Sequence, residues 1–191
     1  MTDTLFDPYE DDPPPALGIV LDVDRGSLPY ALIHGEALVA CAAWALGEAG
    51  VTPLDNGITW DAVRRADEPV VLHDALCPMT PADFIASCVG RALAEDVIVV
   101  GTRPVTDTIK RIADGLVGET VDREGLISIV SPVVLPPSVV SMLADEPGTD
   151  LVALVASLAT THRVVLVEAP ASARRVTSAE EIAVLEALTA G

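Results

Sequence analysis

Short apolar runs alternate with amphipathic stretches along most of this chain, a pattern typical of strands that alternate with helices. Four runs are rich in Val, Ile and Leu and predict buried strands. They span residues 16–21, 70–72, 97–101 and 164–167. Six stretches predict helices, at 35–49, 59–66, 81–94, 136–143, 150–158 and 178–188. This order predicts an α/β fold with a doubly wound, mostly parallel, Rossmann-like sheet.

Two segments depart from the alternation. Residues 1–15 are acidic and end in three prolines, so we expect a disordered tail that cannot bury enough apolar area to fold. From about residue 104 the pattern changes to short strands separated by turns, which indicates a β-arm that leaves the sheet over about 104–134. The remainder, 16–191, is long enough for a single domain.

The net charge and the number of cysteines exclude several classes of function. Eleven basic residues against 29 acidic ones give a net charge of −18, which argues against nucleic acid or an anionic membrane as a partner. The three cysteines are scattered, so neither a disulfide framework nor a zinc site is expected. No apolar run reaches the length of a membrane helix, and no secretory signal opens the chain. We expect a cytoplasmic protein.

The first candidate site residue follows a predicted strand. The apolar run at 70–72 is followed by His73 and Asp74, and prolines at 78 and 81 stop its continuation. In α/β sheets, ligands and metals bind at the carboxyl ends of the strands. Asp74 is therefore the first candidate site residue, although a carboxylate here would equally serve to cap the loop or the next helix.

Four blocks of sequence resemble the 2-C-methyl-D-erythritol 4-phosphate cytidylyltransferase family, in that family's order. They are Val71-Leu-His-Asp-Ala75 with Pro78, Pro104-Val-Thr-Asp-Thr-Ile-Lys110, Thr120 to Leu126 followed by Ser131-Pro132, and Arg175-Val-Thr177. The resemblance implies a nucleotidyltransferase fold and an enzyme that joins CTP to a sugar-alcohol phosphate and releases pyrophosphate.

The resemblance also assigns roles. Asp74 would hold the Mg²⁺ that bridges the CTP phosphates, because Mg²⁺ prefers hard oxygen ligands. Thr108 and Arg123, with Thr106 and Asp107 beside them, would bind the phosphorylated acceptor in the partner subunit's site, which implies a homodimer that exchanges its arms. A plain hairpin, in which Arg123 pairs with a neighbouring carboxylate, is the alternative.

The start of the chain departs from the family. There a glycine-rich loop and a lysine neutralise the triphosphate. Here the corresponding loop is a vestige, with Asp22, Asp24, Gly26 and Ser27, and only Arg25 stands in for the loop arginine. No lysine follows, since the chain's only lysine is at position 110. Two unit charges 4 Å apart interact by about 4 kcal/mol at an effective dielectric of 20, so the aspartates would repel CTP.

Near the C-terminus, Arg175 stands where the family has a catalytic lysine. Arginine keeps the charge but not the compact ammonium group. Cys77 replaces an arginine of the family, and nothing in the sequence lowers the pKa of its thiol. The three histidines have no catalytic partner pattern, so we expect them to be structural.

Three hypotheses follow. The leading one is a degenerate family member with a binding or regulatory role, which senses a small phosphorylated molecule or pairs with another protein; Mg²⁺ would bind only if nucleotide binding is retained. The second is an active cytidylyltransferase in which Asp74, Arg25 and Arg175 are catalytic. The third is a structural subunit whose acidic tail docks a basic protein partner.

Overall fold

The computed structural model describes residues 14–54, 57–104, 110–113, 116–120 and 126–190. The strands in these ranges are β1 (Ala16–Leu21), β2 (Leu32–Ile33), β3 (Glu36–Ala37), β4 (Val51–Pro53), β5 (Val70–Asp74), β6 (Ile98–Pro104), β7 (Lys110–Ala113), β8 (Leu116–Thr120), β9 (Ile127–Leu135) and β10 (Val164–Glu168). The helices are α1 (Leu38–Glu48), α2 (Trp60–Arg65), α3 (Ala82–Glu95), α4 (Pro137–Val140), α5 (Leu151–Leu158) and α6 (Ala179–Thr189).

Six strands form the central sheet, in the order β10-β6-β9-β5-β1-β4. Neighbouring strands are parallel, except that β9 is antiparallel to both β5 and β6. The predicted mostly parallel, doubly wound sheet is therefore confirmed. The carboxyl ends of β1 and β5 lie side by side, because Leu21 pairs with Asp74 in the register of these two strands. That pairing brings the loop after β1 next to Asp74.

The boundary predicted for the arm needs one correction. The strand that begins at Ile127 belongs to the central sheet and not to an arm that extends to residue 134. Its apolar residues from Val133 to Leu135 are fully buried between β5 and β6, as expected of a central strand. The antiparallel pair β7–β8 forms a separate two-stranded sheet within the predicted arm.

The side chains of each central strand alternate between two hydrophobic cores. One core contains Val70 and Leu72 of β5 and packs against α2, α4 and α5. The other contains Val71 of the same strand and packs against α1 and α3. Helices therefore cover both faces of the sheet. None of the helices in the described ranges is long and apolar enough to cross a membrane.

Helix boundaries follow the capping signals closely. The Thr59 side chain accepts a hydrogen bond from the N–H of Ala62, and Ser178 accepts one from the N–H of Glu181, as predicted. Helix α1 begins at Leu38 and not at Gly35. The reason is that Gly35 has a φ of +83° and turns the short β2–β3 hairpin instead.

Glycine at position 101 lets β6 and β9 approach closely. A Cβ atom there would lie 2.7 Å from the carbonyl oxygen of Ser131, too close for any other residue. The register of the two strands also shifts between Val100 and Thr102. This approach fixes Ser131 on β9 beside the end of β5, where its side chain contacts the candidate site.

Candidate functional site

Asp74 is the last residue of β5 and is almost completely buried, with 5% of its side chain exposed. Its backbone N–H donates to the hydroxyl of Ser131 at 2.6 Å. One carboxylate oxygen, Oδ1, accepts a hydrogen bond from the N–H of Leu76 at 2.9 Å. Asp74 is therefore held by backbone and side-chain contacts, in an orientation set by the sheet.

Two arginines that are distant in sequence meet on this carboxylate. The Nε of Arg25 lies 3.2 Å from Oδ1 and its Nη2 lies 3.2 Å from Oδ2 of Asp74. The Nε of Arg175 lies 3.0 Å from Oδ2. The side chain of Arg25 is 11% exposed and that of Arg175 is 35% exposed, so solvent screens the first pair less than the second. The three residues predicted to be catalytic therefore form one ion-paired cluster.

The loop after β1 holds Arg25 in this position. Its Nη2 donates to the backbone carbonyl of Thr149 at 2.8 Å, and the hydroxyl of Thr149 donates to the carboxylate of Asp24 at 3.0 Å. Asp24 and Gly26 both have left-handed backbones, with φ of 61° and 60°. The loop thus folds back over the carboxyl end of β5 and places its arginine on Asp74 and its aspartate on Thr149.

The other two loop residues point elsewhere. Asp22 accepts a hydrogen bond from the hydroxyl of Tyr30 at 3.1 Å, and this contact with a carboxylate raises the pKa of Tyr30. The backbone carbonyl of Ser27 accepts from the N–H of Tyr30 at 3.1 Å and begins a single helical turn. Of the four residues in the predicted nucleotide loop, only Asp24 lines the cleft described next.

A cleft of about 860 Å³ opens beside the cluster. Its charged side chains are Arg25, Arg175, Asp24, Asp74 and Asp150, so two guanidinium groups face three carboxylates. The carboxylate of Asp150 is committed to capping α5, because it accepts from the N–H groups of residues 152 and 153 at 3.0 Å. We name this cavity the Asp74 cleft. It is large enough for a small ligand, but its lining does not favour a polyanion.

Sequence reasoning missed Thr149 and Asp150, which join the cleft from the start of α5. The Gly-Thr-Asp sequence at 148–150 indicated only that Asp150 caps α5, which the structure shows, and not that the turn faces Asp74. It also missed Ser131, although the Ser131-Pro132 pair was part of the recognised blocks. These residues reach the cleft only because the fold brings distant segments together, and the sequence does not indicate which strand end they will contact.

The arrangement does not fit a Mg²⁺ ion. Both oxygens of Asp74 already accept hydrogen bonds from guanidinium groups, and one also accepts from a backbone N–H. Within the described ranges, no group of three or more acidic, His or Cys side chains is close enough to hold a metal. Mg²⁺ requires oxygen ligands in a near-octahedral arrangement and retains several waters. In this arrangement Asp74 has no oxygen available to a metal ion.

Two buried residues close to Asp74 in sequence, His73 and Cys77, are not placed to take part in a reaction at neutral pH. Burial raises the pKa of the Cys77 thiol to about 12, so this cysteine is not a nucleophile at neutral pH. His73 is fully buried, and neither ring nitrogen has a hydrogen-bond partner among the described residues. Burial lowers the pKa of His73 to about 4, although the carboxylate of Asp74 opposes that shift. His73 therefore remains neutral at physiological pH.

Four further predicted site residues, Thr106, Asp107, Thr108 and Arg123, lie outside the described residues, as do residues 1–13 of the predicted acidic tail. Their roles remain predictions.

Comparison with known proteins agrees with the resemblance. Residues 50–190 match the family model described as 2-C-methyl-D-erythritol 4-phosphate cytidylyltransferase. A relative of that name from Frankia casuarinae is 33% identical over 141 residues, which cover 68% of this chain. Another from Parasynechococcus marenigrum is 42% identical over 70 residues, which cover 36% of this chain and 30% of the relative. The matched region spans about half the length of the Frankia protein, 52%.

Solved structures give the same fold. The 2-C-methyl-D-erythritol 4-phosphate cytidylyltransferase of Thermus thermophilus superimposes with a TM-score of 0.64 at 21% sequence identity, over 90% of this chain and 96% of the other. The 4-diphosphocytidyl-2C-methyl-D-erythritol synthase of Anaerococcus prevotii superimposes with a TM-score of 0.62 at 15% identity, over 91% and 95% of the two chains. At these identities the likeness establishes the fold.

Proposed function

Because this chain belongs to the 2-C-methyl-D-erythritol 4-phosphate cytidylyltransferase family, we propose that it is a degenerate member that binds a small phosphorylated molecule and does not transfer nucleotides efficiently. The observation that carries the proposal is the double ion pair on Asp74. In the family the corresponding carboxylate is expected to hold a metal, whereas here Arg25 and Arg175 occupy both of its oxygens.

Electrostatics supports the loss of nucleotide transfer. Asp74 offsets one of the two positive charges that Arg25 and Arg175 would offer a triphosphate, and Asp24 adds a further negative charge to the same cleft. A bound triphosphate would have to displace Asp74 from both guanidiniums. Breaking a fully buried ion pair leaves its carboxylate uncompensated and costs about 3–5 kcal/mol, and the cost here is lower because Arg175 is 35% exposed and screened by solvent. That cost subtracts directly from the affinity for CTP.

The same geometry gives one observation in favour of a working enzyme. Asp74, Arg25 and Arg175 converge on a single cleft although 49 and 101 residues separate the arginines from Asp74. In an active cytidylyltransferase, substrate and Mg²⁺ would pull the arginines onto the phosphates and free the carboxylate. We retain this as the second candidate function, and we propose for both a homodimer through the arm, with Thr108 and Arg123 of each chain at the partner's acceptor site.

Pyrophosphate release decides between the two. Purified full-length protein, incubated with CTP, 2-C-methyl-D-erythritol 4-phosphate and Mg²⁺, should release no pyrophosphate above a protein-free control. A catalytic member would release pyrophosphate, and its Asp74→Ala variant would lose that activity. Activity that depends on Asp74 would therefore overturn the proposal and establish the second function.

A further inference from the structure

Three large apolar side chains are exposed in the Asp74 cleft. They are Ile127 at the start of β9, Val152 in the first turn of α5 and Leu166 in the middle of β10. Between 48% and 62% of the surface of each residue is exposed. A soluble protein rarely leaves several large apolar side chains together at its surface unless that surface binds something. We call these three residues the apolar wall.

The elements that carry the wall lack the charged outer face that is usual at a protein surface. Residues 151–161, which include α5, contain no charged residue, and the exposed positions of that helix hold only Val, Ala and Ser. Strand β10 is the edge of the central sheet, where charged side chains are common, yet Leu166 is exposed there. Leu151 and Val155 of α5 lie buried in the hydrophobic core behind the wall. The apolar wall is therefore held by a packed core.

The lining of the cleft is divided between charged and apolar side chains. Arg25 and Asp74 belong to the ends of β1 and β5, whereas Ile127 and Leu166 belong to β9 and β10. The strand order β10-β6-β9-β5-β1 places these two pairs on opposite sides of the cleft. Two guanidinium groups face three carboxylates, so the charges nearly cancel and attract an anion only weakly. Contact with the apolar wall must then supply much of the affinity for a ligand in this cleft.

We propose that the apolar wall binds the carbon body of the ligand, which is therefore a short alkyl phosphate and not a phosphorylated polyol. This inference rests on the proposed function, since it specifies the chemical class of the phosphorylated molecule. A molecule with one charged group and an aliphatic body matches the divided lining, because burial against the wall removes its chain from water. A polyol would lose hydrogen bonds with water there, and the three side chains of the wall offer no donor or acceptor in return. The cleft, at about 860 Å³, is large enough for such a molecule.

Calorimetric titration of the full-length protein with glycerol 3-phosphate and with propyl, butyl and pentyl phosphate tests the inference. Propyl phosphate has the skeleton of glycerol 3-phosphate without its two hydroxyls. It should bind about tenfold more tightly, because no hydroxyl has to give up its hydrogen bonds with water. Each further methylene should strengthen binding about threefold, close to the value for transfer of a methylene group out of water.

A double variant tests the assignment to the wall. Val152→Thr combined with Leu166→Thr should reduce the gain per methylene to below about 1.5-fold, because two hydroxyls then face the chain. The affinity for methyl phosphate, which has no chain, should stay within about twofold of the wild-type value. Val184→Thr is the matched control, since Val184 is half-exposed on α6 and does not line the cleft. It should keep the wild-type gain per methylene.

The outcomes separate the inference from the proposed function. If glycerol 3-phosphate binds as tightly as propyl phosphate, or if the double variant keeps the gain per methylene, the inference is wrong and the proposed function stands. If sedimentation velocity shows that the double variant converts a dimer to a monomer, a second copy of the chain covers the wall, and the inference is again wrong. If the wild-type protein binds no phosphate monoester, the proposed function itself fails, and the inference fails with it.

Discussion

Asp74→Asn should strengthen the binding of phosphate in the Asp74 cleft about tenfold or more. If Asp74 were the metal ligand of a nucleotidyltransferase, the same substitution would instead weaken the binding of phosphate. Asparagine preserves the shape and the acceptor for the N–H of Leu76, but it releases the guanidiniums of Arg25 and Arg175 from a competing anion. Two unit charges 4 Å apart interact by about 4 kcal/mol at an effective dielectric of 20. Solvent screening reduces the part of this energy that the substitution of Asp74 would add to phosphate binding. Calorimetry with inorganic phosphate measures the gain.

The same substitution should lower the free energy of unfolding by about 2–3 kcal/mol, because it leaves two arginines uncompensated around a buried position. The estimate lies below the full cost of breaking a buried pair because Arg175 is 35% exposed. Asp61→Asn is a matched control, since it removes one exposed carboxylate that pairs only with Arg64 and Arg65 among the described residues. Adding Arg25→Gln to Asp74→Asn should cancel the gain in affinity. Unchanged or weaker phosphate binding in Asp74→Asn would contradict this account.

His73 should lower the protein's free energy of unfolding by about 3 kcal/mol between pH 6.5 and pH 4, and His73→Leu should abolish this loss. In the folded protein the pKa of His73 is lowered from 6.5 to about 4 by burial. Over that pH range the unfolded chain therefore binds a proton that the folded chain does not. Its contribution is fully present above pH 6.5 and is lost as the pH falls toward 4.

Urea unfolding of the wild type and of His73→Leu, at pH 7 and at pH 4, isolates this effect from that of the carboxylates. The variant should be at least as stable at pH 7, because leucine replaces a buried ring with no hydrogen-bond partner among the described residues by an apolar side chain of similar size. The difference in free energy of unfolding should then grow in favour of the variant at pH 4. A difference that does not change with pH would show that His73 is protonated normally in the folded state.

Much of the fold could be predicted from the sequence because local signals and burial agreed. The valine-rich runs became β1, β5, β6 and β10, and the capped stretches became helices with nearly the expected ends. The position of β9 could not be predicted, because turn residues before it resembled those of an arm. Whether an apolar run joins a central sheet depends on which strands flank it, and here the glycine at position 101 admits Ser131 at close range.

The sequence predicted which residues belong to the candidate site, but it did not predict the contacts between them. Asp74 followed from its place after a strand, Arg175 from the last block of the resemblance, and Arg25 from its place in the first loop, where the chain departs from the family. The sequence indicated that the aspartates of the first loop would repel a triphosphate. It did not indicate that Arg25 would pair with Asp74, which depends on the carbonyl of Thr149 holding the guanidinium in place. Such contacts between residues distant in sequence are set by the packing of the sheet.

Calorimetric titration of the full-length wild-type protein with CTP in the presence of Mg²⁺ tests the central claim most directly. Because both guanidiniums are committed to Asp74 and three carboxylates line the cleft, we predict a dissociation constant of about 1 mM or weaker, which corresponds to no more than about 4 kcal/mol of binding free energy. Binding at micromolar concentrations would contradict the account, since it would require the arginines to leave Asp74 at little cost.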